Sequence, residues 1–166
     1  MKRLYYFFVA IFVVVSFFSC SRTEKVATGS APTFVLSTIK SDRLALNDYR
    51  GKVVMVEFFA SWCPPCQMAV PELKSLYEQY RGKGFVVLGI AMDDGPTALS
   101  KVKSFVNEFG IPYPVMIDDG KVSRQYQVIS IPTSVIIDKV GNIRYTHIGL
   151  VPDLASTLSK EIQTLL

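Results

Sequence analysis

The chain begins with Lys2-Arg3 and then runs apolar and uncharged over residues 4–18. That length suits the hydrophobic region of a secretory signal better than a full membrane span, which takes about 20 apolar residues. Residues 21–32 are small and polar and read as a linker. Beyond them, short apolar runs alternate with longer stretches of helical period. Thr33-Phe34-Val35-Leu36 predicts a short strand, and Leu44-Ala45-Leu46 a partner for it. Residues 47–52 read as a turn. Val53–Phe59 is a β-branched, apolar run of the kind that a strand buried on both faces shows. From Pro64 to Gly82 the period turns helical, with Met68, Leu73, Leu76, Tyr77 and Tyr80 inward. Pro71, which lacks an N–H, is expected to kink this helix. Phe85–Ala91 predicts a second buried strand. Residues 97–109 predict a helix with Leu99, Val102, Phe105, Val106 and Phe109 inward. A short strand over 113–118 and a short helix over 120–126 follow. Residues 134–138 and 142–148 predict two strands joined by a turn at Val140-Gly141-Asn142. Leu154–Leu165 predicts a closing helix with Leu154, Leu158, Ile162 and Leu165 on one stripe. Together these elements predict one α/β domain over residues 33–166, a mixed sheet with helices on both faces.

Composition adds the setting. The chain is 49% hydrophobic and 19% charged, a globular profile with an apolar excess much of which sits in the first twenty residues. Its formal net charge is +4, and Lys2 and Arg3 of the leader contribute to it. No basic block interleaved with aromatics is present, so no nucleic-acid partner is expected, and the domain is expected to act as a monomer. There is no internal repeat. The cysteines number three, and an odd thiol in an exported protein needs an explanation. The leader ends Phe17-Phe18-Ser19-Cys20-Ser21. A small residue followed by Cys resembles a bacterial lipoprotein signal, in which the Cys becomes the lipidated first residue. Phe17 departs from that pattern, where an aliphatic residue is usual. The competing reading is an uncleaved signal anchor. Either one tethers the domain to a membrane. With Cys20 lipidated, Cys63 and Cys66 remain as one pair.

The pair sits in Cys63-Pro64-Pro65-Cys66, at a predicted strand-to-helix junction. With Cys63 at the helix start, Cys66 falls one turn in, which brings the sulfurs within bonding reach. Unpaired N–H groups and the helix dipole favour a thiolate at Cys63. Cys63 is then the group that attacks a substrate disulfide, and Cys66 the group that resolves the mixed disulfide. Other readings compete. A structural zinc site needs four ligands, and only Cys20 and His147 remain to supply them. A purely structural disulfide leaves Trp62 beside the pair and Pro-Pro within it unexplained. Glu57 interrupts the buried run Val53–Phe59. A buried, unpaired carboxylate is costly, so its pKa is expected to rise towards neutrality, as suits a general base. Its alternative is a surface ion pair with Lys52 or Lys83. Trp62 either offers an apolar surface beside the disulfide or packs in the core. His147, in a hairpin strand, reads as structural.

Ile131-Pro132-Thr133 ahead of a strand is the second constellation. A proline there is awkward unless it ends the loop in a special geometry, often cis. Here the sequence resembles the thioredoxin superfamily, in the stretch from Glu57 to Cys66, the Ile131-Pro132-Thr133 loop and Gly149. Within it, Trp62-Cys63-Pro64-Pro65-Cys66, the turn at 47–52 and the extra segment between Ala91 and Ile129 are most similar to membrane-tethered TlpA/ResA-like thiol-disulfide oxidoreductases. The resemblance implies a thioredoxin-like fold with an extra helix-strand insert and an N-terminal strand pair. It implies a cis Pro132 facing the cysteines, and backbone around Ile131 that pairs with a substrate chain. It implies that Glu57, where thioredoxins hold a buried Asp, deprotonates Cys66 through water. Many TlpA/ResA-like proteins instead carry a Glu three residues after the second Cys, where this chain has Ala69.

Pro64 and Pro65 bring no N–H to the helix start. Fewer donors mean a less stabilised thiolate, and a less stabilised reduced form is a better reductant. We therefore expect a reductase of exported proteins, with no cofactor beyond its own disulfide and no metal. By resemblance its electrons come from a DsbD/CcdA-like transmembrane donor, and its substrates include apocytochrome c. The alternatives are a disulfide-forming oxidase, a copper-delivery module binding through the two cysteines, and a peroxidase. The last usually needs a Thr three residues before the reactive Cys, where this chain has Ala60.

Overall fold

The computed structural model describes residues 29–166. The leader, Cys20 and most of the expected linker lie outside the described residues. The central sheet has six strands: β1 (Gly29–Ser30), β4 (Val53–Phe59), β5 (Phe85–Ala91), β6 (Val115–Ile117), β7 (Thr133–Ile137) and β8 (Asn142–Ile148). Their order is β1-β8-β7-β4-β5-β6. The β4–β5 and β5–β6 pairs are parallel; β7 runs antiparallel to both β4 and β8. A separate hairpin joins β2 (Val35–Ser37) to β3 (Arg43–Ala45), with Leu36 opposite Leu44. The helices are α1 (Pro64–Tyr80), α2 (Ala98–Phe109), α3 (Val122–Gln125) and α4 (Leu154–Leu165). Short 3-10 turns at Leu46–Tyr49 and Arg81–Lys83 flank β4 and α1. This is the expected mixed α/β architecture, with α2 and β6 as the insert.

All residues of β4 and β5 are buried, because the two central strands are covered on both faces. On one face Met55, Phe59 and Val87 pack against α1, α2 and α4 through Val70, Leu73, Phe105 and Leu158. On the other face Val54, Val56 and Phe58 meet Phe34, Leu36, Leu46, Leu88 and Val122. The three long helices thus share one face. The N-terminal segment and the short α3 close the other, so helices cover the two faces unequally.

Three expectations need correction. Gly29 and Ser30, expected in the linker, form β1 against Asn142 and Ile143 of β8, and Ala31 behind them is buried. An edge strand needs only backbone partners, so its side chains leave no apolar pattern. Met68 is 67% exposed, since the buried stripe of α1 runs through Cys66, Ala69, Val70, Leu73, Leu76 and Tyr80 and leaves Met68 off it. Leu99 is also exposed; it lies at the flank of the Ala98, Val102, Phe105 stripe. Helix α1 continues through Pro71 to Tyr80.

Candidate active site

Strand β4 ends at Phe59, and Ala60 starts a turn that delivers Cys63 to the N-terminus of α1, just ahead of its first residue. The Cys63 N–H closes that turn on the Ala60 carbonyl at 3.2 Å. Cys63 is the N-cap, and Pro64 and Pro65 fill the first two helical positions, where a missing N–H costs nothing. The first helical N–H near the sulfur is therefore that of Cys66, which donates to Cys63 Sγ at 3.2 Å. Cys63 and Cys66 form a disulfide with their Cα atoms 5.3 Å apart. Both cysteines are buried, whereas Trp62 beside them is 65% exposed, so Trp62 is not a core residue.

The Ile131–Pro132 peptide bond is cis. The Ile131 carbonyl oxygen lies 3.9 Å from Cys63 Sγ. The Pro132 carbonyl accepts from Gly149 N–H at 2.7 Å, which fastens the exit of β8 to this loop. Gly149 has φ 80, a conformation that side chains disfavour. Ile129, two residues before Ile131, is exposed, as is Leu150 after Gly149.

Glu57 lies on the α1 face of β4 and is 3% exposed. Neither Lys52 nor Lys83 pairs with it among the described residues. Its partner is Ser134, directly opposite in the β4–β7 register, whose hydroxyl donates to Glu57 Oε2. Burial pushes the Glu57 carboxyl up to about 7, and the Ser134 hydrogen bond opposes that rise. On its other side Glu57 faces Gly89 of β5. A Cβ at Gly89 would come within 3.2 Å of Phe59 and Val115 side-chain atoms, so glycine allows these side chains their close approach to the strand. Glu57, Cys66, Val70, Phe105 and Tyr113 line one narrow cavity of about 10 Å³, the scale of a single water molecule. Ala69 is buried and adds no polar group.

Cys63, Cys66, Pro64, Pro65, Ile131 and Pro132 thus lie together, with Glu57 behind Cys66 and Trp62 outside. His147 sits apart, paired with Glu161 of α4 at 2.8 Å. Among the described residues no group of three or more His, Cys, Asp or Glu is placed to hold a metal. Sequence alone does not single out Ser134 or Asp93. The available signals were a polar residue at the start of an apolar strand and an acid just past one. Neither reveals its partner until the strands are in register. Asp93 accepts from Ser61 N–H at 2.9 Å and from the Ser61 hydroxyl.

Residues 27–146 match the AhpC/TSA family. The chain is 36% identical over 125 residues to thiol-disulfide oxidoreductase ResA of Bacillus cereus (strain ATCC 10987 / NRS 248), covering 74% of this chain and 70% of that protein. It is 31% identical over 119 residues to thioredoxin-like protein YneN of Bacillus subtilis (strain 168), covering 72% and 69%. A solved thiol:disulfide interchange protein of the thioredoxin family from Chlorobium tepidum TLS superposes with a TM-score of 0.74 at 28% identity, covering 83% of this chain and 96% of that one. The chain therefore belongs to the AhpC/TSA family of thioredoxin-like proteins and is a thiol-disulfide oxidoreductase, similar to ResA, that carries its cysteine pair at Cys63 and Cys66.

Proposed function

We propose that this oxidoreductase works as a reductase outside the cytoplasm, held at a membrane by its N-terminal segment. Cys63 attacks the disulfide of an exported protein, and a mixed disulfide forms as the substrate's leaving thiolate departs. Cys66 then attacks Cys63 Sγ, releases the second substrate thiolate and leaves the Cys63–Cys66 disulfide. Glu57 takes the Cys66 proton through the narrow cavity they share, so the resolving thiolate forms near neutral pH. Trp62 and the backbone at Ile131 and Pro132 receive the substrate chain. A transmembrane dithiol donor of the DsbD/CcdA type returns the electrons, and oxidised CxxCH thiols of apocytochrome c are the substrate class we favour. The hydrophobic leader and Cys20 support the membrane tether; among the described residues no helix is long and apolar enough to cross a membrane.

The observation that carries the reading is the helix start. Pro64 and Pro65 leave the Cys66 N–H as the sole N–H donor to Cys63 Sγ among the described residues, so the thiolate there is sparsely stabilised. In the test, the Cys66→Ser protein is expressed with its leader and the exported fraction is probed for mixed disulfides. The expected result is Cys63 joined to exported proteins, with cytochrome c precursors among them. Recovery of no mixed disulfide from the exported fraction contradicts the reading.

A further inference from the structure

Asp93 is a buried carboxylate that the reaction above does not use. It follows β5 and is only 4% exposed. Burying a carboxylate is costly unless it is well hydrogen-bonded, so its partners are informative. No cation pairs with it among the described residues. Both of its oxygens accept from one residue: Oδ2 from the Ser61 N–H at 2.9 Å and Oδ1 from the Ser61 hydroxyl.

Ser61 and Trp62 are the two central residues of the turn from Ala60 to Cys63. The other polar groups of that turn are also held. Gln67 Nε2 donates to the Ser61 carbonyl at 3.2 Å, and Gln67 N–H donates to the Cys63 carbonyl at 3.1 Å. The turn is thereby tied to β5 through Asp93 and to α1 through Gln67. The outcome is a split between neighbours, with Trp62 projecting outwards and Cys63 tucked in at the helix start.

In the oxidised protein the Cys63–Cys66 bond also fastens this turn to α1. Reduction breaks that bond, and the hydrogen bonds to Asp93 and Gln67 then hold the turn beside the core packing of Ala60 and Cys63. We propose that Asp93, acting through Ser61, is a positioning residue for disulfide exchange: it keeps Cys63 and Trp62 in their attacking arrangement once the pair is reduced. The proposal rests on the reading of Cys63 as the attacking cysteine.

The test uses reduced full-length protein and follows its second-order rate with a small aromatic disulfide and with oxidised insulin. Asp93→Ala removes both acceptors and slows attack by roughly tenfold or more, as loss of two hydrogen bonds implies. Ser61→Ala keeps the amide bond and slows attack by less. The only tryptophan of the chain, Trp62, supplies the second readout. Its fluorescence anisotropy falls in both reduced variants and stays near the unaltered value when they are oxidised. A role in stability alone lowers the melting temperature of both redox forms and leaves the rate of folded protein untouched, which overturns the proposal. If Asp93→Ala does not fold, Ser61→Ala decides: unaltered rate and unaltered anisotropy overturn the latch. Alkylation of the unaltered reduced protein separates the two ideas. Cys66 reacting before Cys63 overturns the assignment of the attacking cysteine and the latch with it. Cys63 reacting first, with normal rates in both variants, overturns the latch alone.

Discussion

Strand β4 shows two different solutions on its two faces. Val54, Val56 and Phe58 enter a cluster of hydrocarbon and aromatic side chains from the N-terminal segment, β5 and α3. Met55, Glu57 and Phe59, alternating with them, face α1 and α2. There the burial is just as complete, but it includes a carboxylate and lies against a disulfide. The first face stabilises by apolar burial alone. The second gives up part of that stabilisation to hold a group whose proton affinity lies near neutrality. The difference explains how one strand serves both as the centre of the core and as the platform for the chemistry.

Substitutions sharpen this contrast. The largest effect is expected from Cys63→Ser, which abolishes disulfide exchange while leaving the hydrocarbon face intact; an insulin-reduction assay with a thermal melt reads both. Phe58→Ala, on the hydrocarbon face, should cost about 3–5 kcal/mol in denaturant unfolding. The folded fraction should keep an unaltered reduction potential, and a shifted potential would dissolve the division between the faces.

Glu57→Gln tests the other face. The Glu57 carboxyl rises from an ordinary 4.5 to about 7, so the folded protein holds its proton more tightly than the unfolded chain does. That contribution is fully present below about pH 4.5 and is lost as pH rises through about 7, a change of about 3 kcal/mol. Unfolding curves of the oxidised protein at pH 5 and pH 8 should show the unaltered chain weakening more than Glu57→Gln. Parallel pH dependence in the two would mean that Glu57 is not held protonated. The smallest effect is expected from Pro65→Ala. The added N–H at the helix start stabilises the Cys63 thiolate and makes the pair more oxidising, by roughly 30 mV for about 1.4 kcal/mol.

Most of this contrast is legible in the sequence. The buried run with a single Glu, the Cys63-Pro64-Pro65-Cys66 motif and Ile131-Pro132-Thr133 are local signals, and the elements they imply form where expected. What is not legible depends on register and on edges. Ser134 meets Glu57 only because β7 pairs antiparallel with β4, and nothing local in Thr133-Ser134 fixes that pairing. Asp93 reaches Ser61 across 32 positions of sequence. Strand β1 is carried by backbone bonds alone, so Gly29-Ser30 reads as linker. Met68 carries an apolar signal yet points outwards, because composition at one position does not fix its place on the helix stripe.

The proposed reducing direction rests on the helix start of α1, where Pro64 and Pro65 bring no N–H to Cys63. The most direct measurement is the reduction potential of the full-length protein equilibrated in dithiothreitol or glutathione buffers. A reductant gives a value near about −250 mV or lower, in the range of thioredoxin. A value near about −120 mV, the range of strong oxidants, would contradict it and turn the proposed direction of electron flow around.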